Sequence, residues 1–134
     1  MLTMDLDMKH FTLVLRDESL PPRDYLGGLS NLFVCGALMD PGFVADLLGH
    51  PVAGAFAVAL DYARGYEEVD GEKVHFMTPE KGGVLPGMVW LDLSDEDVRC
   101  FEAFEQVPRL RERVDLEVRV GDILLPAFTY MKKS

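Results

Sequence analysis

The strictest alternation in the chain lies towards its C-terminal end. There Val114, Leu116, Val118 and Val120 are interleaved with Arg113, Asp115, Glu117 and Arg119. A period of two puts the apolar side chains on one face of a strand and the charged ones on the other. Gly121-Asp122 then predicts a turn into a partner strand over residues 123–131, which makes a terminal hairpin. Upstream, Ser94-Asp95-Glu96-Asp97 has the form of a capping box, and Val98, Phe101 and Phe104 follow at helical spacing. Residues 31–35 read as a buried strand closed by Gly36, and Asp40 before Pro41 reads as an N-cap with proline at the first helical position. Phe43, Val44, Leu47 and Leu48 continue that helix, and Gly49 ends it. Residues 52–60 are apolar and strand-compatible. Asp70-Gly71 predicts a hairpin turn between residues 66–69 and 73–77. Gly82 and Gly83 are expected to form a loop, and Pro86 to delay the next strand to Gly87, whence it runs through Trp90 to about Leu93.

From residue 31 the predicted order is therefore β-α-β-β-β-β-α-β-β. Tight turns between neighbouring strands favour an α+β fold: a small, mostly antiparallel β-barrel or curled sheet with two main helices. Residues 1–28 read differently, as an N-terminal extension. It holds a β-like run over residues 11–15 and a polar stretch with Pro21, Pro22, Gly27 and Gly28. The main domain is expected over residues 29–134. At 134 residues the chain suits one domain with a sizeable core, and 49% hydrophobic residues argue against extensive disorder.

Charge and cysteine content narrow the function. A net charge of −10 opposes binding to nucleic acid, which needs a basic stripe, and to anionic membrane surfaces. There is no apolar run of about 18 residues to span a bilayer. Charged residues among the first 20, including Asp5, Lys9 and Arg16, do not suit a secretory signal, so a cytoplasmic protein is expected. Cys35 and Cys100 are then expected as free buried thiols, with a disulfide between them as the minor alternative. The cysteines and His10, His50 and His75 show no metal-ligand spacing. Oligomeric state is left open.

One carboxylate stands on an unexpected face. With Val98 at about 0° on a 100° wheel, Phe101 falls at about 300°, Phe104 at about 240° and Glu105 at about 340°. Glu105 thus points with the apolar stripe, while Glu102, at about 40°, lies on its flank. A carboxylate set there either reaches water at a fraying helix end, pairs with Arg111 or Arg113, or sits in a cleft as a proton-transfer group with a raised pKa. A strand that stops at Gly36 and opens onto a helix offers free backbone N–H groups for a carboxylate or an oxyanion, or is simply a structural turn.

Four segments carry a resemblance. Cys35-Gly36-Ala37-Leu38 is followed by Met39-Asp40-Pro41; next comes Val84-Leu85-Pro86-Gly87-Met88-Val89-Trp90-Leu91. Phe101-Glu102-Ala103-Phe104-Glu105-Gln106-Val107-Pro108 is followed by Arg111 and Arg113, and Ala127-Phe128-Thr129-Tyr130 closes the set. In this order, over about residues 31–131, they resemble the γ-glutamylcyclotransferase family, in particular its AIG2-like, γ-glutamylamine cyclotransferase branch. The resemblance implies a small β-barrel flanked by helices, with Glu105 as the catalytic acid/base. It implies a substrate site at Cys35, Gly36, Ala37, Leu38, Arg111 and Tyr130, in which the glycine loop supplies backbone donors. It further implies a small γ-glutamyl amine or peptide as substrate, cyclised to 5-oxoproline with release of the amine, without metal or organic cofactor. The sequence departs from the family pattern in four places: Cys35 stands for a Tyr, Ala37 for a Thr or Ser, Gln106 for a Gly and Arg111 for a Tyr. Cys35 reads as a packing thiol, since no histidine stands at a telling place for a nucleophile pair. Arg111 reads either as a ligand for a substrate carboxylate or as a solvated charge. The alternative function is a non-catalytic small-molecule-binding or regulatory module on the same fold.

Overall fold

The structure is a computed structural model, described for residues 3–4, 13–14 and 30–133. Two short strands, β1 (Thr3–Met4) and β2 (Leu13–Val14), pair antiparallel. The rest of the predicted 11–15 run and the polar stretch with Pro21, Pro22, Gly27 and Gly28 lie outside the described residues. The main body begins with β3 (Ser30–Val34), a 3-10 turn at Gly36–Met39 and helix α1 (Pro41–Leu48). Strands β4 (Gly54–Val69) and β5 (Glu72–Leu93) follow, then helix α2 (Asp95–Phe104), β6 (Arg111–Val120) and β7 (Ile123–Lys132). The five main strands close a barrel in the order β3-β5-β4-β6-β7. All pairs are antiparallel except the closing one, where Leu32 of β3 meets Phe128 of β7 in parallel. The fold is thus the α+β barrel with two helices that the sequence predicts.

The middle of the chain differs from expectation. Residues 52–60 and 66–69 do not form separate strands but belong to the single strand β4, and residues 73–77 and 87–93 both belong to β5. Gly82 and Gly83 make no loop. They sit within β5 in a bulge, where residues 80–83 face Asp61 alone as the pairing passes from Leu60–Val84 to Tyr62–Pro79. Asp61 takes a φ of 70° there and accepts a hydrogen bond from the Gly82 N–H at 2.9 Å. A Cβ on Gly83 would lie 2.5 Å from the Tyr62 carbonyl oxygen, so glycine marks close approach of two backbones rather than a chain reversal. Pro86 likewise lies inside β5, paired with Val58. The β3 pairing of β5 begins only at Met88, so Pro86 stands where that side of the strand is an edge and a missing N–H disrupts no ladder. The predicted Asp70-Gly71 turn joins β4 to β5, with φ of 53° and 83°.

Two apolar clusters hold the body together. Inside the barrel Phe33, Ala57, Ala59, Val89, Val118 and Val120 pack with Met77 and Met131. Between barrel and helices, Leu32, Leu38, Val44, Trp90, Leu93, Val98 and Phe101 form the second. The Val118 and Val120 side chains are buried while Glu117 and Arg119 are exposed, as the period of two requires. Phe104 does not join the apolar stripe. It is 42% exposed and packs edge-on against Phe43 of α1, with ring centroids 5.4 Å apart.

Both helix starts follow the sequence signals. Asp40 accepts from the Gly42 N–H at 3.0 Å, and Gly49 ends α1 at φ 83°. In α2 the Ser94 hydroxyl accepts from the Asp97 N–H and the Asp97 carboxylate accepts from the Ser94 N–H, each at 3.1 Å. The second Asp97 oxygen lies 2.7 Å from His50 Nε2, while His50 Nδ1 lies 3.0 Å from the Pro51 carbonyl oxygen. Both ring nitrogens therefore face acceptors, which only the doubly protonated ring can satisfy. The hydrogen bond to Asp97 leads in raising the His50 pKa, helped by Pro51 and by the Asp97 and Glu96 charges. A pKa raised on folding stabilises fully below the unfolded value, about 6.5, and loses its effect as pH rises through the folded value. The His50→Gln variant is therefore expected to show a lower urea midpoint than wild type at pH 5.5, and a difference that shrinks towards zero by pH 9. A difference unchanged over that range would show that the His50–Asp97 contact does not titrate.

Candidate active site

A cavity opens where the end of β3 meets the C-terminal end of α2. Its walls come from β3 and the residue after it (Phe33, Val34, Cys35), from β5 (His75, Phe76, Met77) and from β7 (Thr129, Tyr130), with Glu105 and Arg111 completing them. The space free of protein atoms is about 340 Å³, counting the part open to solvent.

Glu105 is brought here by the way α2 ends. It is the C-terminal capping residue, its N–H bonded to the Phe101 carbonyl at 2.8 Å. The next residue, Gln106, takes a φ of 57°, the left-handed conformation that a glycine adopts freely and that commonly closes a helix. Its side-chain oxygen accepts from Arg109 Nη2 at 2.7 Å and from Nε at 3.2 Å. The Glu105 side chain is 21% exposed. Burial raises its pKa above the ordinary carboxylate range, and the Arg111 guanidinium works against that rise.

Arg111 is not the solvated charge that one reading of the sequence allowed. Its side chain is 12% exposed, with Nη1 3.5 Å from Glu105 Oε2. Nη1 also donates to the Glu105 carbonyl at 3.1 Å, Nη2 donates to the His75 carbonyl at 3.3 Å, and the guanidinium lies 4.7 Å from the Phe76 ring centre. Arg113, the other partner weighed from sequence, instead covers the Phe128 ring at 3.8 Å.

The remaining candidates divide. Cys35 lines the cavity, and burial pushes its thiol pKa up, which keeps it a thiol. His75 shares this cavity although nothing in the sequence connects it with Cys35. Cys35 and Cys100 are both free, so the disulfide alternative does not hold. Tyr130 lines the cavity too. Its hydroxyl donates to Glu102 Oε2 at 3.4 Å, and burial, then the Glu102 charge, raises its pKa. Glu102, read from the wheel as a flank residue, is thereby tied to the cavity wall. Gly36, Ala37 and Leu38 are not among the cavity-lining residues. They form the 3-10 turn directly after Cys35, with Gly36 at φ 88° and Ala37 exposed. Leu38 is buried, and its carbonyl accepts from Trp90 Nε1 at 2.9 Å. Thr129, missed by the sequence reading, is buried and donates to the Phe33 carbonyl at 2.8 Å. Its place on the inward face of β7 gives no chemical signal in a linear pattern.

Among the described residues no group of three His, Cys, Asp or Glu side chains is placed to hold a metal ion, and no helix is long and apolar enough to cross a membrane. What the cavity assembles is a half-buried carboxylate and a guanidinium bound to it, beside the Tyr130 hydroxyl and the Phe33 and Phe76 rings. That arrangement suits proton transfer.

A sequence model of the family described as "Gamma-glutamyl cyclotransferase, AIG2-like" matches residues 32–134. The chain belongs to this family. Among solved structures, the Arabidopsis thaliana protein At3g28950.1 is similar at 25% identity and a TM-score of 0.66, over 78% of this chain. The match spans 62% of that protein's length. A protein described as a gamma-glutamyl cyclotransferase shares the fold at a TM-score of 0.69 and 10% identity, over 79% of this chain and 68% of its own. An AIG2-like protein from Mus musculus shares it at a TM-score of 0.60 and 19% identity, over 78% of this chain and 77% of its own. No curated protein matches the chain.

Proposed function

We propose that this family member is a γ-glutamylcyclotransferase acting on a small γ-glutamyl amine or peptide, with Glu105 as its acid/base. The observation that supports the reading best is the Glu105 carboxylate itself: half-buried, raised in pKa, and set in a cavity beside the end of β3. In this reading Glu105 takes a proton from the α-ammonium of the substrate. The freed amine attacks the γ-carbonyl carbon of the same molecule, so no second reactant has to be captured. A ring C–N bond forms, and the attacking nitrogen sheds its second proton as it becomes the ring N–H. The C–N bond to the leaving amine breaks, and both protons pass to the departing nitrogen, the first through Glu105, so that 5-oxoproline and an ammonium ion leave with protons and charge in balance. Cys35 and Tyr130 contact the substrate, and the N–H groups of Gly36, Ala37 and Leu38 act as donors to it from the turn above. Arg111 orients Glu105 through the bonds described, and no metal or organic cofactor takes part.

A second reading, a binding or regulatory module without turnover, has one observation in its favour. The contact between Arg111 and Glu105 favours the ionised carboxylate and so weakens it as a base. A panel of γ-glutamyl amines and γ-glutamyl amino acids, assayed for 5-oxoproline release, separates the two. Release from at least one compound is expected; binding of the panel with no release from any member establishes the module instead.

A further inference from the structure

Two guanidinium groups act on the thiol of Cys35, those of Arg64 and Arg111. They differ in what they hold. Arg111 is engaged with Glu105, with the His75 carbonyl and with the Phe76 ring. Arg64 is exposed, and among the described residues it pairs with no carboxylate.

Its position is set by the long strand that the sequence reading divided. In β4, Arg64 stands directly opposite Met77 of β5. Opposed residues of an antiparallel pair share a face of the sheet, and Met77 lines the cavity. The guanidinium reaches the glycine turn: a Cβ built on Gly36 would lie 3.4 Å from Arg64 Nη2. Glu105 is the sole acid among the described cavity-lining residues, and it already has Arg111 as its partner. Arg64 thus adds a positive charge beside the cavity on a chain of net charge −10, and a local field of that sign favours an anionic ligand.

We propose that Arg64 binds a carboxylate of the substrate beside the Glu105 cavity, and so selects γ-glutamyl compounds by charge. The inference rests on the cyclotransferase reading for the γ-glutamyl group, while the carboxylate site itself stands on the geometry of Arg64. A planar guanidinium matches a carboxylate through two parallel hydrogen bonds, and Gly36 leaves the approach open where any side chain would narrow it. The carboxylate has two sources: the α-carboxylate of the glutamyl group, or that of an amino acid leaving group.

The test uses two ligands, γ-glutamyl-alanine and γ-glutamyl-ethylamide, which differ in the leaving-group carboxylate. Binding is measured by titration calorimetry on the full chain carrying Glu105→Gln, which does not consume them, and on the same chain carrying Arg64→Gln as well. Loss of affinity of roughly 10- to 100-fold is expected, as for one charge-assisted hydrogen-bonded contact. Loss for both ligands assigns the glutamyl carboxylate; loss for the dipeptide alone assigns that of the leaving group. Arg64→Lys, which keeps charge but not the fork, is expected to recover part of the affinity. Because Arg64 is exposed, these variants are expected to keep the wild-type melting temperature. Equal binding with and without Arg64, or no binding by the parent, overturns the proposal. Binding that depends on Arg64 in a wild type that releases no 5-oxoproline removes the catalytic reading and leaves the carboxylate site in place. Release with the same KM in wild type and Arg64→Gln does the reverse.

Discussion

Glu105→Gln is expected to lower 5-oxoproline release by roughly 10²–10⁴-fold, the usual worth of one positioned acid/base. The substitution keeps size and hydrogen-bonding shape but cannot carry a proton through the cycle. Affinity for substrate should change little, because Cys35, Tyr130 and the turn at residues 36–38 are untouched. The effect therefore falls on kcat rather than on KM. The pH profile adds a second signature. The base must be ionised, and burial raises the Glu105 pKa, so the acidic limb of the wild-type profile is expected above the ordinary carboxylate range. Glu102→Gln is no neutral control, since Glu102 holds the Tyr130 hydroxyl in the cavity wall. Glu117→Gln serves instead: Glu117 is exposed on β6, on the face turned away from Val118. An active wild type whose Glu105→Gln variant retains full turnover would remove Glu105 from the chemistry.

Glu105 was legible because helical periodicity is a local property. Val98, Phe101 and Glu105 lie within one helix, and the capping box at Ser94 fixes where that helix starts. The same locality made the terminal hairpin readable, since a strict period of two and the Gly121-Asp122 turn are all that it needs. The β4–β5 pair was divided for the complementary reason. Gly82, Gly83 and Pro86 are ordinary breakers in isolation, and only the β5 bulge facing Asp61 and the end of β3 pairing explain why the strand passes through them. That error concealed Arg64, which stands opposite the cavity residue Met77 once β4 is seen to run unbroken to Val69. His75 and Thr129 were concealed likewise, because barrel closure, a contact between Leu32 and Phe128, decides which residues share the cavity. Arg111 shows the same limit from another side. Its charge was visible, but its engagement by Glu105, His75 and Phe76 depends on elements that meet only in three dimensions.

Gly87→Ala is expected to destabilise the protein by about 3 kcal/mol, at the upper end of what overpacking a core position costs. Gly87 lies in β5, opposite Ala57 of β4 and next to Met88, the partner of Val34 in β3. An added Cβ would stand 2.3 Å from the Val34 carbonyl oxygen and 2.7 Å from Cζ of Phe33. Neither neighbour can swing aside. The carbonyl belongs to β3, which is held between β5 and β7, and the Phe33 ring is wholly buried. Relief therefore requires β3 and β5 to separate, which weakens the ladder between them and opens the barrel core. For a domain of this size the loss corresponds to a fall in melting temperature of roughly 10 °C. Gly49→Ala provides the comparison. Gly49, unlike Gly87, has a positive φ, 83°, but nothing lies within 4 Å of its Cβ position, so its cost is the backbone strain alone, about 1 kcal/mol. Phe33, Val34 and Cys35 are cavity walls, so displacement of β3 in the Gly87 variant should also reduce substrate affinity at temperatures where the chain is still folded. Thermal melts of the two variants beside wild type decide the matter. A Gly87→Ala melt within about 2 °C of wild type, less than a 1 kcal/mol change would produce, would mean that β3 yields to the added methyl group. The cavity wall would then be softer than its packing against Phe33 implies.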